Sequence, residues 1–251
     1  MAVTASRIKS VSSWGFLGSL TSGGLKASWN FRENLLDDSG NGHTLTWEGG
    51  GSPGYTTGLL PGITAAVFDG SHYASVANHD DFNPGAGPFT IEVIKRFSSL
   101  TGVQVMAGKM SGDFKGYALI WDGEKIGLQA VEDYSESKYR MAYTPTTGWA
   151  IGTLYHIVAS WDPADDIRIS VNAVSQALIG KVGTISGWNL DNTGAFTVGY
   201  GEVETYYFTG DTDLVRFYKG RVLTTEEITA NWEVFSTPSP SGGGGAYLRR
   251  R

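Results

Sequence analysis

The sequence has no cysteine, so no disulfide staples it and its stability has to come from a packed core. With 251 residues, 41% of them hydrophobic, the chain is long enough to bury one. Cationic charge is scarce as well. Lysine and arginine number 19 against 25 acidic residues, a net charge of -6. That balance argues against a nucleic-acid partner, because phosphate neutralisation needs clustered cations. The single basic cluster, Arg249, Arg250 and Arg251, reads as a solvated tail. No apolar run is long enough to span a bilayer. The first 24 residues lack the continuous apolar core of a signal peptide, since Arg7 and Lys9 interrupt them. Synthesis in the cytoplasm and no membrane insertion are the expectations.

Catalytic signatures are missing too. No nucleophile elbow, phosphate loop or dinucleotide fingerprint occurs. Glycoside hydrolysis needs two carboxylates about 5–9.5 Å apart, which on a strand means acids at i, i+2 or i, i+4. Glu202 and Glu204 come nearest, but Gly199 and Gly201 put them in a loop, and Asp165–Asp166 reads as a solvated turn. His43, His72, His79 and His156 show no metal spacing, and His156, within an apolar alternating run, reads as structural. A non-enzymatic protein is expected.

Glycine is plentiful, at 35 residues, and charged residues make up only 18%, as in chains of short strands and tight turns. Strands are predicted at 25–31, 63–68, 72–77, 89–97, 103–109, 117–121, 125–131, 138–143, 154–161, 167–171, 196–200 and 206–218. Asp69–Gly70 predicts a hairpin joining 63–68 to 72–77, and Asp122–Gly123 another. The pattern is all-β, a two-sheet antiparallel sandwich. Spacing alone leaves jelly-roll and immunoglobulin-like topologies both open.

Residues 209–233 join a strand to the one convincing helix. Leu214, Arg216 and Tyr218 alternate with Asp213, Val215 and Phe217. Gly220 ends the strand, and Thr224 with Glu227 predicts a capping box. Leu223, Ile228 and Trp232 then share a docking face.

This stretch, GDTDLVRFYKGRVLTTEEI, resembles the closing signature of the laminin-G-like jelly rolls of the concanavalin A-like lectin and glucanase superfamily. Four further matches occur in the same order. They are the strand at 25–31 followed by Asp37-Asp38-Ser39-Gly40-Asn41-Gly42, then Phe68-Asp69-Gly70-Ser71-His72-Tyr73, then Phe89-Thr90-Ile91-Glu92, then 154–162. The resemblance covers roughly residues 25–235 and implies a jelly roll, flanked by an arm at 1–24 and a Pro/Gly-rich tail at 236–251. The E-x-D-x-E strand of the superfamily's glucanases is absent.

The resemblance also implies a structural calcium shared by the Asp38–Asn41 loop and Asp213, calcium being a taker of carboxylate, amide and carbonyl oxygens. The alternative is that Asp38 and Asn41 only bond their own turn. For sugar binding the candidates are Trp121, Tyr134, Tyr139 and Tyr206, with Tyr200 and Tyr207, aromatics near loops or strand ends; the alternative for each is a place in the core. The polar loop 132–138 either lines a groove or covers an edge. Trp14 and Phe16, and Tyr247 and Leu248, are candidate anchors onto neighbouring subunits, the alternative for the first pair being a fold back onto their own domain. The favoured function is a structural or decoration protein on the surface of a viral, phage-type particle, made in the host cytoplasm and held by its arms. The other is a calcium-dependent carbohydrate-binding module, and a displayed knob could hold surface glycans as well.

Overall fold

The computed structural model describes residues 22–58, 63–146, 148–184, 186–201 and 205–236. The anchor candidates Trp14, Phe16, Tyr247 and Leu248, and the acids Glu202 and Glu204, lie outside them.

The chain opens with β1 (Leu25–Trp29), β2 (Thr46–Glu48), β3 (Gly54–Thr57), β4 (Thr64–Asp69) and β5 (Tyr73–Val76). A 3-10 turn at Asp80–Phe82 leads to β6 (Phe89–Phe97). A meander follows through β7 (Gln104–Met110), β8 (Gly116–Trp121), β9 (Ile126–Asp133) and β10 (Lys138–Tyr143). Then come β11 (Leu154–Asp162), β12 (Asp166–Val171), β13 (Val174–Ser175), β14 (Ile179–Gly183) and β15 (Phe196–Val198). The close is β16 (Tyr200–Gly201), β17 (Tyr206–Tyr207), β18 (Thr209–Lys219) and helix α1 (Thr225–Ser236).

Two antiparallel eight-stranded sheets form the sandwich. The first runs β13-β12-β11-β6-β18-β4-β3, with β1 also paired to β18, and the second runs β14-β10-β9-β8-β7-β15-β5-β2. Their inner faces meet in an aromatic core. Ile91, Val93, Trp161, Val215 and Phe217 of the first sheet pack with Tyr117, Leu119, Trp121 and Leu128 of the second. Tyr117 and Phe217 stack across the interface at 5.5 Å. Such a core needs no disulfide, which accounts for the missing cysteines.

One expected pairing does not form. Asp69–Gly70 is a turn, but β4 pairs with β3 and β18 while β5 pairs with β2 and β15. The turn carries the chain from one sheet to the other. Asp69 shapes it by accepting the Ser71 and His72 N–H groups, a local device that fixes a bend without fixing strand partners. Asp122–Gly123 does close a hairpin, with Trp121 opposite Ile126. The sequence pattern also missed β2, β3, β13 and β14, short strands at or next to the sheet edges with little apolar periodicity.

On the outer face of the first sheet, the closing signature does structural work. Glu92 on β6 and Arg216 and Tyr218 on β18 are fully buried, as is His156 on β11. Glu92 accepts from His156 Nε2 (2.8 Å), Tyr218 Oη (3.0 Å), Arg216 (3.3 Å) and Asn231 Nδ2 of α1 (3.0 Å). Burial opposes ionisation of Glu92, but the Arg216 charge and these donors outweigh it and hold its pKa near 2. Helix α1 closes over this network. Thr224 and Glu227 form the expected capping box, Ile228 packs with Leu223, Val158 and Tyr218, and Trp232 stacks on His156 at 5.6 Å.

Candidate functional site

The outer face of the second sheet is different. Along β8 and β9, Tyr117, Leu119, Trp121, Ile126, Leu128 and Ala130 point into the core. The alternate residues, Ala118, Ile120 and Val131, point outward, yet they are apolar too. Val105, Ala118 and Ile120 form a separate apolar cluster there, joined by Met110, Tyr143 and Tyr206. They floor a hollow of about 350 Å³, within the range of small-ligand sites.

Two sets of aromatics wall it. In the β9–β10 hairpin, the Asp133 carboxylate accepts the Ser135 and Glu136 N–H groups and folds the tip. Tyr134 is thereby left 53% exposed and stacked on Tyr139 at 4.8 Å. Phe114, in the β7–β8 turn, sits 6.1 Å from Tyr134. The second wall is the β16–β17 hairpin, where Tyr200 lies between Tyr73 (4.3 Å) and Tyr207 (4.9 Å) and Tyr206 lines the hollow. This hairpin sits close on β7 because residue 201 is glycine; a Cβ there would fall 2.6 Å from Val105 Cγ2. Phe114, Ser137 and Thr205 all have positive φ, at 65°, 58° and 55°. Left-handed backbone at non-glycine residues is costly and gathers at ligand sites. Among the described residues, three of the eight non-glycine positions with positive φ fall in the loops that carry the walls.

Polar groups in the hollow are few: Gln129, which bonds the Tyr143 side chain, Thr197, and the stem of Lys109, whose ammonium turns away to Asn192. Among the described residues no carboxylate lines it. The arrangement can stack flat apolar faces and offer a few hydrogen bonds.

Of the sugar-binding candidates, Tyr134, Tyr200 and Tyr206 line the hollow, Tyr139 backs Tyr134 and Tyr207 packs on Tyr200. Trp121 does not line it. Its indole is on the inner parity of β8, 2% exposed, packed against Phe97 and Trp149, with Nε1 donating to the Leu100 carbonyl. The nearby Asp122–Gly123 turn suggested a surface position, but the pleat decides which side a residue takes. Phe114 and the apolar floor were missed. The available signal was the unbroken apolarity of 117–121, since a strand wet on one face should alternate.

The loop after β1 is organised by Asp37. Its carboxylate accepts from the Ser28, Ser39 and His43 N–H groups and from the Ser39 hydroxyl. Burial works against its ionisation, yet these donors hold its pKa below the usual aspartate value. Asn41 donates to the Leu25 and Lys26 carbonyls, and Asp38 accepts from Asn30 Nδ2 at 2.6 Å. Asn30 Oδ1 is a buried oxygen with no hydrogen-bond partner among the described residues, a feature that suits a cation beside Asp38. Asp213 is buried on β18, next to Gly58.

Two other expectations change. Asp166 is not a solvated turn acid, because Arg140 of β10 and Lys181 of β14 both bond it and tie the two sheets together. His43 and His79, 36 residues apart in sequence, meet at Asp81, a cluster that spacing along the chain could not reveal.

No curated protein matches the sequence. Among solved structures, domain 4 of an extracellular arabinanase from Geobacillus stearothermophilus, in complex with arabinotriose, is 20% identical. It aligns over 82% of this chain and 97% of that one, with a TM-score of 0.61. The binding domain of Paraclostridial Mosquitocidal Protein 1 is 14% identical over 84% of this chain, with a TM-score of 0.63. For botulinum neurotoxin type C, described as entering cells through two ganglioside molecules, the figures are 12%, 85% and 0.62. The chain spans 52% of the length of each toxin chain. These likenesses establish a shared fold. The laminin G-type model of the Concanavalin A-like lectin/glucanases superfamily matches residues 68–229, well over half of the sequence, and the chain belongs to that superfamily.

Proposed function

We propose that this is a non-catalytic carbohydrate-binding domain that holds a glycan chain in the hollow on the second sheet. The observation that carries the reading is the hollow itself, an apolar floor between exposed tyrosines with no acid among its described lining residues. Sugar rings present C–H faces that pack on aromatics, a contact taken here on the scale of an aromatic pair, about 0.5–1.5 kcal/mol. Two or three stacked rings give a weak, reversible hold. The arabinotriose complex of the arabinanase domain supports the same reading from a related fold.

Affinity electrophoresis and calorimetry against arabinans, β-glucans, galactans and sialylated oligosaccharides test it. At least one should bind without release of reducing ends, and Tyr134→Ala and Tyr206→Ala should each weaken it. A panel with no ligand, or binding indifferent to both substitutions, defeats the proposal.

Within this reading calcium is a structural ion. Asp38, Asn30 Oδ1 and Asp213 would supply oxygens, and Asn41, whose amide nitrogen is held by β1 carbonyls, keeps its Oδ1 for the same ion. Melting should then be higher in calcium than in EDTA, with the difference lost in Asp38→Ala. Equal curves remove the ion and leave the hollow intact. Display on a viral particle is a finer reading that rests on the terminal arms. A knob anchored through Trp14, Phe16, Tyr247 and Leu248 would present the same hollow to surface glycans.

A further inference from the structure

We propose that His43, His79 and Asp81 form a site for a divalent transition ion of the zinc type, clamping the β1–β2 connection to the 3-10 turn before β6. The cluster stands apart from the hollow, which none of the three residues lines.

Each half of the site is anchored in the core. The His43 N–H donates to Asp37 Oδ2 at 3.0 Å, and its carbonyl accepts the buried Trp29 indole N–H at 2.7 Å. The backbone of His43 is therefore held on both sides. His79 and Asp81 bracket the start of the 3-10 turn, whose third residue, Phe82, is fully buried against Trp29 and Phe196. Two segments far apart in sequence thus present three ligand side chains from fixed positions.

The spacing suits a metal. His43 Nε2 lies 3.0 Å and His79 Nδ1 3.4 Å from the same oxygen, Asp81 Oδ2, and all three ligand atoms fall within 4.8 Å of one another. In a tetrahedral zinc site, bonds of about 2.0–2.1 Å place neighbouring ligand atoms roughly 3.3–3.4 Å apart. The two shorter separations need shifts of a few tenths of an ångström, and the two histidine nitrogens, up to 4.8 Å apart, would close by about 1.4 Å as the exposed His79 ring swings in. Two imidazoles and one carboxylate suit zinc, whereas calcium prefers an all-oxygen shell. His79 is more than half exposed, so the fourth position faces water.

Two contacts bear on the protonation and charge of the site. The Asp81 N–H donates to His79 Nδ1 at 3.1 Å, so that nitrogen already presents a lone pair, as a metal ligand must, and the ion would take the place of this donor. Lys26 Nζ lies 2.8 Å from Asp81 Oδ1, the oxygen the site does not use. Its side chain is 33% exposed and has room to swing into solvent when a dication binds.

The test uses untagged full-length protein, titrated calorimetrically with zinc chloride and separately with calcium chloride, with cobalt absorption as the spectroscopic readout. His79→Asn removes the imidazole and keeps a side chain able to cap the turn. Wild type should bind one zinc ion, melt higher with zinc, and move cobalt away from its aquo spectrum. His79→Asn should lose affinity by about tenfold or more while its zinc-free melting temperature stays put. Equal zinc affinity in both proteins overturns the proposal. So does a wild type that leaves the aquo-cobalt spectrum unchanged, a result that depends on no variant folding.

Discussion

The outer face of the first sheet carries Glu92, Arg216, His156 and Tyr218, and helix α1 covers it. The outer face of the second carries Val105, Ala118, Ile120 and Val131, and among the described residues no helix covers it. Solvation alone would favour the reverse, charges in water and apolar side chains beneath the helix. The first face tolerates burial because each oxygen of Glu92 has donors, and those donors come from two strands, β11 and β18, and the helix at once. A buried ion pair of this kind adds little net stability but penalises any arrangement that breaks it, and so fixes where α1 docks. The second face is open, as the proposed glycan binding requires.

The largest expected effects come from breaking the covered side. Glu92→Ala leaves Arg216 buried without its counter-charge and should cost about 3–5 kcal/mol in urea denaturation. Trp121→Ala, a core deletion from the other sheet, should cost a similar 3–5 kcal/mol. Protein of either variant that remains folded should keep glycan affinity. Acid gives the same test without mutation. The pKa of Glu92 is lowered from 4.5 to about 2, so its contribution is complete above the ordinary value and is lost as pH falls toward 2. Glu92→Gln should flatten the stability profile in that window.

The open face should respond the other way. Tyr134→Ala removes an exposed ring, so stability should stay within about 0.5 kcal/mol of wild type. Binding should weaken by about 0.5–1.5 kcal/mol, up to roughly tenfold in Kd. A Tyr134→Ala protein that unfolds readily but binds normally would erase the distinction between the two faces.

The same contrast explains what the sequence disclosed. Glu92, Arg216, Tyr218, Thr224 and Glu227 are covered-face or cap residues whose chemistry demands particular types at particular offsets, and they made the jelly roll legible. The open face demands only apolar floor residues and aromatics on loops. Such residues resemble core residues until the pleat assigns them a side, which is why Trp121 and Tyr134 looked equivalent. Asp69–Gly70 shows a related limit, since its turn chemistry was legible while the change of sheet depended on partners far away. The His43–Asp81 contact likewise exists only once β1 and the 3-10 turn are folded together.

Lys95 gives an effect well below that of Glu92, because neither outer face claims it. It is fully buried on the inner side of β6, with Nζ 2.9 Å from the Thr212 hydroxyl and 4.1 Å from the centre of the Phe208 ring. Among the described residues no acid pairs with it, and burial alone pushes its pKa well below the ordinary 10.5. Between that lowered value and 10.5 the unfolded chain binds a proton that the folded chain does not, so this group makes stability rise with pH across the window. Lys95→Met keeps the length and apolar stem of the side chain and removes the titration. It should cost less than about 1.5 kcal/mol at neutral pH, and urea midpoints at neutral and alkaline pH should draw closer together than in wild type. A loss as large as that of Glu92→Ala would mean that the Lys95 ammonium is charged and held like the Glu92 carboxylate. The rule separating the two faces, that buried charge persists only where partners surround it, would then fail inside the core itself.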